Sequence, residues 1–278
     1  MFNNDYSFCG CTFRLSSTQP LEEQGNYGKF RCDRSVEHPD YCVRVIPTHQ
    51  LPQPTGTPSY VTHRRTYYDK EGRVYTAFYD LCQYEKISHA CKLGEDELWI
   101  RPLKDALIEN AVFDGLDLPA MLLNKGIGLL HCSFVAYRRS ALLFAGDKQV
   151  GKSTQAALWQ THKNAPTVNG DRAGIYQKDG VFFAGGVPYA GTSGICHNKN
   201  LPIKAIVCLG KGAQNTLEQC SAIDGFKELL GKFSYNHRPT ETEQIVSLVS
   251  SLVEKVPVYR YSCVKDESAV DFLEQQLF

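Results

Sequence analysis

The chain has 278 residues, of which 42% are hydrophobic and 22% charged, and its 30 Lys and Arg residues balance 30 Asp and Glu residues. This length and apolar content suffice for one large or two small folded domains and exclude a disordered chain. A balanced charge without a long basic stripe argues against nucleic acid as a partner and against a polybasic membrane anchor. We find no signal segment at the start and no apolar run approaching about 18 residues, so we expect a cytoplasmic protein without a membrane partner.

Eleven cysteines are a high count, but the number is odd and the residues are scattered from Cys9 to Cys263. This is not the dense spacing of a secreted disulfide scaffold, so we expect reduced thiols. Two groups of cysteines could each supply thiolate ligands to a zinc ion. One group is Cys9, Cys11, Cys32 and Cys42, and the other is the pair Cys82 and Cys91. Neither group has the paired C-x2-4-C spacing of a zinc knuckle, and the pattern favours small buried side chains.

The first part of the chain has the pattern of a β-rich region. Short aromatic or β-branched runs occur at 30–32, 41–46, 73–79 and 98–100, and turn signals such as 52–58 and 69–72 separate them. These features predict antiparallel hairpins. Over 106–123 the apolar residues have helical spacing that is interrupted at Gly115 and Pro119, which predicts a broken helix. We take this helix as the joint between a β-rich region of 1–124 and a second domain of 125–278.

The second half predicts a mixed α/β core. Strand-like runs occur at 130–137, 141–145, 167–168, 174–176, 181–184, 203–209 and 256–261. The first two are joined by a polar turn, and Lys178-Asp179-Gly180 is a hairpin signal between two others. Thr240 and Glu243 have the spacing of a capping box before an amphipathic helix, and Asp266 is predicted to cap the last helix.

The strongest local signal is a phosphate-binding loop. Gly146-Asp147-Lys148-Gln149-Val150-Gly151-Lys152-Ser153 fits the Walker A pattern G-x-x-x-x-G-K-[ST] at every fixed position. The apolar strand before it and the helical sequence that starts at Thr154 supply the required context, because the chemistry needs inward-pointing backbone N–H groups followed at once by a helix N-terminus. Lys152 is then the charge on the β- and γ-phosphates, and the Ser153 hydroxyl binds Mg²⁺. The alternative is an ordinary Gly-containing turn between a strand and a helix.

The position of the second acid argues against the ordinary P-loop NTPase fold. That fold needs a second apolar strand ending in Asp, but the apolar run 205–209 ends in Gly210-Lys211-Gly212. The candidate carboxylate is Asp171, 19 residues after Lys152. This spacing suits a compact sheet in which the next strand returns beside the loop.

These residues resemble the HPr kinase/phosphorylase family and its phosphoenolpyruvate carboxykinase-like relatives. The resemblance rests on Leu130-His131, the hairpin, the loop with Lys152, and the acidic segment at Gly170-Asp171. It continues through the Gly-rich stretch 186–195, through 201–206 and through 256–259, and it covers about 128 to the C-terminus. The N-terminal half does not look like the N-terminal domain of the HPr enzymes. The implied fold is an α/β, phosphoenolpyruvate carboxykinase-like P-loop core with a mixed sheet and flanking helices.

The resemblance implies roles for single residues. Lys152 would hold phosphates, Ser153 and Asp171 would hold the divalent ion, and His131 would stand near the phosphoryl acceptor, while Arg172 would clamp a phosphate or pair with Asp171. Family members place two adjacent Asp residues at the acidic segment, and the first is the general base. In this chain Gly170 occupies the first of these two positions, so it carries no acid there. A general base contributes about 10²- to 10⁴-fold, so His131 is the natural substitute if its imidazole is neutral.

Simpler structural roles stand beside these functional ones. His131 lies between apolar neighbours and would then be a satisfied core residue, and Asp171 would cap an Asn-Gly-Asp turn. A second polar loop, Gly191-Thr192-Ser193-Gly194, either closes over the transferred phosphoryl group and the acceptor or is an ordinary glycine turn.

Two functions of different classes follow. The first is a kinase, a phosphotransferase that uses ATP and Mg²⁺ to phosphorylate a hydroxyl of a protein, a peptide or a small molecule. The second is a catalytically weak or inactive nucleotide-binding sensor that recognises a partner, in which Gly170 marks lost chemistry. For residues 1–124 three roles stay open: extending the sheet, gating the acceptor site, or forming the interface of a homo-oligomer, since the HPr enzymes are multimeric.

Overall fold

The structure is a computed structural model that describes residues 1–23, 25–53, 56–62, 65–70, 74–80, 89–94, 96–102 and 106–278. The chain divides into an N-terminal unit, Met1–Met121, and a C-terminal unit, Leu122–Phe278. The architecture is mixed α/β, with several sheets and, in the described ranges, six α-helices.

The N-terminal unit is built mainly from strands. Its strands are β1 (Phe2–Phe8), β2 (Cys11–Ser17), β3 (Leu21–Glu22), β4 (Tyr41–Pro47), β5 (Tyr60–Val61), β6 (Arg65–Lys70), β7 (Val74–Asp80), β8 (His89–Leu93), β9 (Glu97–Ile100) and β10 (Leu107–Ile108), and helices α1 (Glu109–Gly115) and α2 (Leu118–Asn124) follow them. Eight of these described strands form one sheet in the order β1-β2-β4-β9-β8-β7-β6-β5. Alternate residues of β2 and β4 are buried, which is the period of a sheet with one face on a core.

The expected strands at 41–46 and 98–100 and the broken helix near 106–123 are confirmed. The expected antiparallel hairpins are confirmed as well, by the pairing of β1 with β2 and of the consecutive strands from β5 to β9. Two further pairings of this sheet are parallel and were not expected. β2 pairs in parallel with β4, and β4 pairs in parallel with β9. The chain between β2 and β4 is long enough for the crossover that parallel strands need. The strand expected at 30–32 is wrong, because Tyr27–Phe30 form a 3-10 helix that turns the buried Phe30 ring into the aromatic core.

Part of the sequence-based prediction falls outside the described residues. The turn expected at 69–72 includes Glu71 and Gly72, the strand expected at 73–79 begins at Arg73, and one cysteine pair includes Cys82, all of which lie outside those ranges. Cys9, Cys11 and Cys91 are buried, whereas Cys42 is exposed.

The C-terminal unit contains strands β11 (Gly128–Tyr137), β12 (Ser140–Ala145), β13 (Thr167–Asn169), β14 (Arg172–Lys178), β15 (Val181–Gly186), β16 (Asn200–Lys211), β17 (Thr216–Gln219), β18 (Phe233–Ser234) and β19 (Val258–Cys263), and helices α3 (Lys152–Lys163), α4 (Ala222–Leu230), α5 (Pro239–Lys255) and α6 (Glu267–Leu277). β11 forms antiparallel hairpin pairs with β12 and also pairs with β14. β12, β16 and β19 are neighbours and run in parallel. Their carboxyl ends therefore meet at one edge, where α/β sheets place their ligands.

Two apolar cores lie on opposite faces of these parallel strands. Leu142 and Phe144 of β12 pack with Trp159 of α3 and with α6 on one face, whereas Leu143 packs with α4 and α5 on the other. The alternation along β12 follows from the strand period of two. Burial on both faces fixes the register of β12, and with it the position of the loop that follows.

One helix start differs from the sequence-based prediction. The helix α5 begins at Pro239 with Arg238 at the N-cap, so Thr240 and Glu243 do not form the expected capping box. Glu241, which is 2% exposed, stabilises this helix start instead, since it accepts hydrogen bonds from Asn236 N at 2.7 Å and from Arg238 Nε at 2.7 Å. The expected cap of α6 is confirmed, because the Asp266 side chain accepts from Ser268 N.

In the part of the chain that the structure describes, we find no helix that is both long enough and apolar enough to cross a membrane.

Candidate functional site

The loop between β12 and α3 has the backbone of an anion-binding turn. Gly146, Gln149 and Gly151 all have positive φ, at 142°, 66° and 121°. A larger residue at position 146 is also excluded sterically, because its Cβ would lie 2.9 Å from Val150 Cγ1. Lys152 is the first residue of α3, and Gln155 N bonds to Gly151 O at 2.9 Å, so the helix starts directly at the loop. The first-turn N–H groups of α3 and its dipole therefore favour an anion in this loop.

Lys152 is folded back onto this loop. Its side-chain Nζ donates to Gly146 O at 2.9 Å and to Asp147 O at 3.0 Å, and the residue is 9% exposed. Burial lowers the pKa of the Lys152 ammonium, and the nearby Asp171 and Asp147 act in the opposite direction. A phosphate in the loop would offer this ammonium oxygen partners that carry a full charge, which form stronger hydrogen bonds than neutral carbonyls do.

His131, Asp171 and Arg172 lie together beside Lys152. His131 Nδ1 lies 3.6 Å from Asp171 Oδ1, and Arg172 Nη1 lies 3.3 Å from Asp171 Oδ2. The pairing of β11 with β14 places His131 opposite Arg172. Arg172 also donates from Nε to Ser234 Oγ at 3.2 Å and lies over the Tyr189 ring at 5.2 Å. The cluster combines a carboxylate, an imidazole and two cations.

The turn that presents Asp171 is shaped by Asn169, a residue that the sequence analysis did not select. Asn169 is fully buried, and its Oδ1 accepts from the backbone N–H groups of Asp171 and Arg172 at 3.0 Å each. Its Nδ2 donates to Val187 O at 2.7 Å. This is the Asx-type turn that an Asn two residues before an acid can form, and that spacing was the available signal.

The 191–194 loop packs against this turn. A Cβ built on Gly170 would overlap the Ser193 hydroxyl and would lie 2.8 Å from Ser193 Cβ. Gly191 has a φ of 55°, and a Cβ there would lie 2.8 Å from Asp171 Oδ1. Ser193 is held by its own backbone, because its Oγ donates to Ala190 O at 2.7 Å and accepts from Ile195 N at 3.2 Å. Ser193 therefore fills the space in which a side chain at position 170 would begin.

The donors available for a divalent ion are a carboxylate and a hydroxyl. Asp171 has a side chain that is 22% exposed, and Ser153 is exposed in the first turn of α3. Within the described ranges, no group of three His, Cys, Asp or Glu side chains is arranged to hold a metal ion. Mg²⁺ is usually bound through one or two protein oxygens, with phosphates and water completing the shell, so this donor set fits it.

A polar cavity of about 360 Å³ adjoins the loop at Gly146 and Asp147. Lys232 and Arg260 line it together with Glu218 and Glu228. Arg260 Nε pairs with Glu228 Oε1 at 2.8 Å, and Lys232 Nζ donates to Glu228 O at 2.6 Å. Neither cation could be predicted from the sequence, because no local motif marks Lys232 or Arg260, and strand pairing and the packing of α4 bring them to the loop.

The pKa of His131 gives a prediction that needs no ligand. Burial lowers this pKa below the ordinary value of 6.5, and the charge of Lys152 lowers it further, while Asp171 raises it. We expect an NMR titration of His131 to have its midpoint below 6.5, to move up in Lys152→Met and to move down in Asp171→Asn. Because the unfolded chain takes up this proton first, the contribution of His131 to folding stability falls as the pH drops below about 6.5. A midpoint above 6.5, or a downward shift in Lys152→Met, would contradict this electrostatic description.

The chain was also compared with known proteins. No family model matches it, and no curated protein matches its sequence. Among solved structures it is similar to the Hpr(Ser) kinase/phosphatase from Coxiella burnetii, with 12% sequence identity over 53% of this chain and 94% of that chain and a TM-score of 0.32. A TM-score of this size establishes no shared fold, so the function is inferred from the geometry of the site.

Proposed function

We propose that the C-terminal unit is a Mg-ATP-dependent kinase of the HPr kinase-related type, which transfers the γ-phosphoryl group to a hydroxyl of a protein, a peptide or a small molecule. The observation that carries this proposal is the loop 146–153, placed between a buried strand and a helix N-terminus, with Lys152 beside Asp171 and His131. Together these groups provide an anion cradle, a cation and a metal-binding carboxylate in one place.

In the proposed reaction the site mainly positions the reacting groups and neutralises the negative charge of the phosphates. Backbone N–H groups of the loop and Lys152 hold the phosphates, and Mg²⁺ held by Ser153 and Asp171 would neutralise part of their charge. The oxygen of the acceptor hydroxyl forms a bond to the γ-phosphorus, and the bond from that phosphorus to the bridging oxygen breaks, which releases ADP. The proton of the hydroxyl passes to the imidazole of His131, which its lowered pKa keeps neutral near pH 7. Arg172 adds positive charge beside Asp171.

One observation favours a second function, a nucleotide-binding sensor with little or no transfer chemistry. Position 170 carries no acid, and Ser193 occupies the space of its side chain. In this alternative the phosphate loop and the metal ligands keep their roles, but the acceptor proton has no efficient base. The two functions agree on Mg-nucleotide binding and differ in turnover.

The experiment that tests the proposal is calorimetric titration of Mg-ATP and Mg-ADP, with phosphate release followed in the same samples. We expect the wild-type protein to bind both nucleotides and to release phosphate slowly without an acceptor. In Asp171→Asn the affinity for ATP should lose its dependence on Mg²⁺, and the release rate should fall about tenfold, because the carboxylate ligand becomes a neutral amide.

The matched control is Asp179→Asn. Asp179 is exposed in the turn between β14 and β15, and its φ of 50° suits Asn equally well. This variant should behave as wild type. Binding without any phosphate release, in the presence of candidate acceptors as well, would favour the sensor. Absence of nucleotide binding would overturn both functions.

A further inference from the structure

The cavity at Gly146 and Asp147 reaches the side of the loop that faces Lys152 and His131. Its volume of about 360 Å³ is within the range of small-molecule sites. Lys232 lines it, and the backbone oxygen of Lys232 accepts from His131 N at 2.9 Å. The charge of Lys232 also acts on Lys152. One end of a molecule in this cavity therefore lies close to the phosphate-binding ammonium and the imidazole.

The floor of the cavity follows from the register of three strands. β16, β19 and β17 are neighbours in the sheet, and residues two apart on a strand point to the same face. Two rows of aligned residues therefore face the cavity, namely Cys208, Arg260 and Glu218 in the first and Gly210, Ser262 and Thr216 in the second. The second row has only short side chains, which leaves room above the sheet for an extended molecule.

The two cations of the cavity are already compensated. Arg260 Nε lies 2.8 Å from Glu228 Oε1, and Arg260 Nη2 lies 4.0 Å from Asp224 Oδ1. Lys232 Nζ lies 3.9 Å from Glu228 Oε2. Two acids and two cations balance in this group, so it offers little net attraction to an anionic ligand.

Two carboxylates of the cavity have no such compensation. Asp147 and Glu218 are exposed, and within the described ranges neither side chain takes part in an ion pair. Glu218 is opposite Arg260 in the strand register, but the Arg260 guanidinium bonds to Glu228 instead. The lining therefore has a surplus of negative charge, which a triphosphate in the loop would increase. A cationic group on the ligand is favoured.

The position of Glu218 sets the length of such a ligand. Gly146 adjoins β16, since a Cβ built on it would lie 3.3 Å from Leu209 O. β17, which carries Glu218, is the second strand beyond β16, a distance of roughly 10 Å at the usual strand spacing. A molecule that extends from Lys152 to Glu218 must therefore hold its two ends apart by a similar distance.

We propose that this cavity binds the phosphoryl acceptor, and that the acceptor is a small amino alcohol whose hydroxyl lies beside His131 and whose cationic amine pairs with Glu218. This inference rests on the proposed function and names the substrate class of its acceptor. The acceptor oxygen gains the γ-phosphoryl group, ADP leaves, and His131 takes the proton of the hydroxyl. The product is a phosphate ester that keeps its amine.

The test uses three probes of equal chain length, 8-amino-1-octanol, 1,8-octanediol and 8-hydroxyoctanoate. Each is titrated calorimetrically into the wild-type protein with Mg-ADP, which occupies the loop without turnover. We expect the amino alcohol to bind about fivefold more tightly than the diol, the scale of an exposed ion pair, and the hydroxy acid to bind more weakly than the diol. Ethanolamine has the same charge on a chain too short to reach Glu218, so it should bind more weakly than 8-amino-1-octanol.

Two variants locate the charge that gives this preference. Glu218→Gln keeps the size of the side chain and removes its charge, so the preference for the amino alcohol over the diol should fall to about twofold. Glu254→Gln is the matched control, because Glu254 is exposed near the end of α5 and outside the cavity, and it should keep the preference.

The outcomes separate this inference from the function on which it rests. Equal binding of the three probes, tighter binding of the hydroxy acid, or an unchanged preference in Glu218→Gln would overturn the inference and leave the phosphate site intact. Ethanolamine that binds as tightly as 8-amino-1-octanol would do the same. With Mg-ATP, mass spectrometry should detect the phosphate ester of 8-amino-1-octanol, and binding without that product would overturn the acceptor role. If Mg-ADP itself does not bind, the proposed function fails.

Discussion

Replacing Lys152 with Met is expected to weaken the binding of Mg-ATP by at least about 100-fold and to abolish phosphate release. Met keeps the apolar stem of the side chain in its buried position and removes only the ammonium. Loss of one partner from a buried, hydrogen-bonded charge pair costs about 2–5 kcal/mol, and each 1.4 kcal/mol is a factor of ten in affinity. The measurement is calorimetric titration of wild type and variant at one ionic strength.

A control variant shows whether the loss of affinity comes from the ammonium of Lys152 or from the change in the net charge of the protein. Lys178→Met removes an exposed ammonium from the β14–β15 hairpin and should leave the affinity unchanged. Thermal unfolding of Lys152→Met shows whether the loss of its bonds to Gly146 O and Asp147 O disturbs the fold. Unchanged affinity in a folded Lys152→Met would mean that the loop does not bind phosphate through this residue.

Local patterns in the sequence were enough for the phosphate loop and for most strands around it. The loop depends on the spacing of Gly146, Gly151 and Lys152, and the structure places them at the end of β12 and the start of α3. The hairpin turn at Asp179 and Gly180 has the positive φ angles that its sequence requires. In these places the conformation is determined by neighbouring residues, so a short window of sequence contains the information.

Non-local contacts could not be predicted in the same way. The parallel pairing of β2 with β4 depends on a crossover, and alternation along a strand does not specify its neighbour. Lys232 and Arg260 reach the cavity at Gly146 and Asp147 only through tertiary packing. The contact of Ser193 with Gly170 joins a turn and a loop that the intervening β14–β15 hairpin separates in the sequence. This last contact decides what position 170 can hold.

Introducing an acid at position 170 is therefore expected to require two substitutions. Gly170 is not among the glycines with positive φ, so its backbone accepts a side chain, but the Ser193 hydroxyl and Cβ stand in the way. Gly170→Asp alone should destabilise the protein by about 1–3 kcal/mol through overpacking and should give no gain in phosphate release. In Gly170→Asp with Ser193→Gly, the next atom that the new Cβ meets is Ala190 O at 3.8 Å, which is ordinary contact.

The double variant is the decisive comparison between the kinase and the sensor. In the proposed kinase His131 already takes the proton, so we expect the double variant to release phosphate at about the wild-type rate. A positioned general base contributes about 10²- to 10⁴-fold, so a gain of about 100-fold in the double variant would show that the wild-type site lacks an efficient base, as in the sensor. Ser193→Gly alone is the control, because it loses the hydroxyl's bonds to Ala190 O and Ile195 N without adding an acid. A gain that appears only in the double variant is a coupling between the two positions. If the double variant folds and binds Mg-ATP but shows no gain, the missing acid does not limit the reaction, and His131→Gln then tests whether the imidazole already takes the proton.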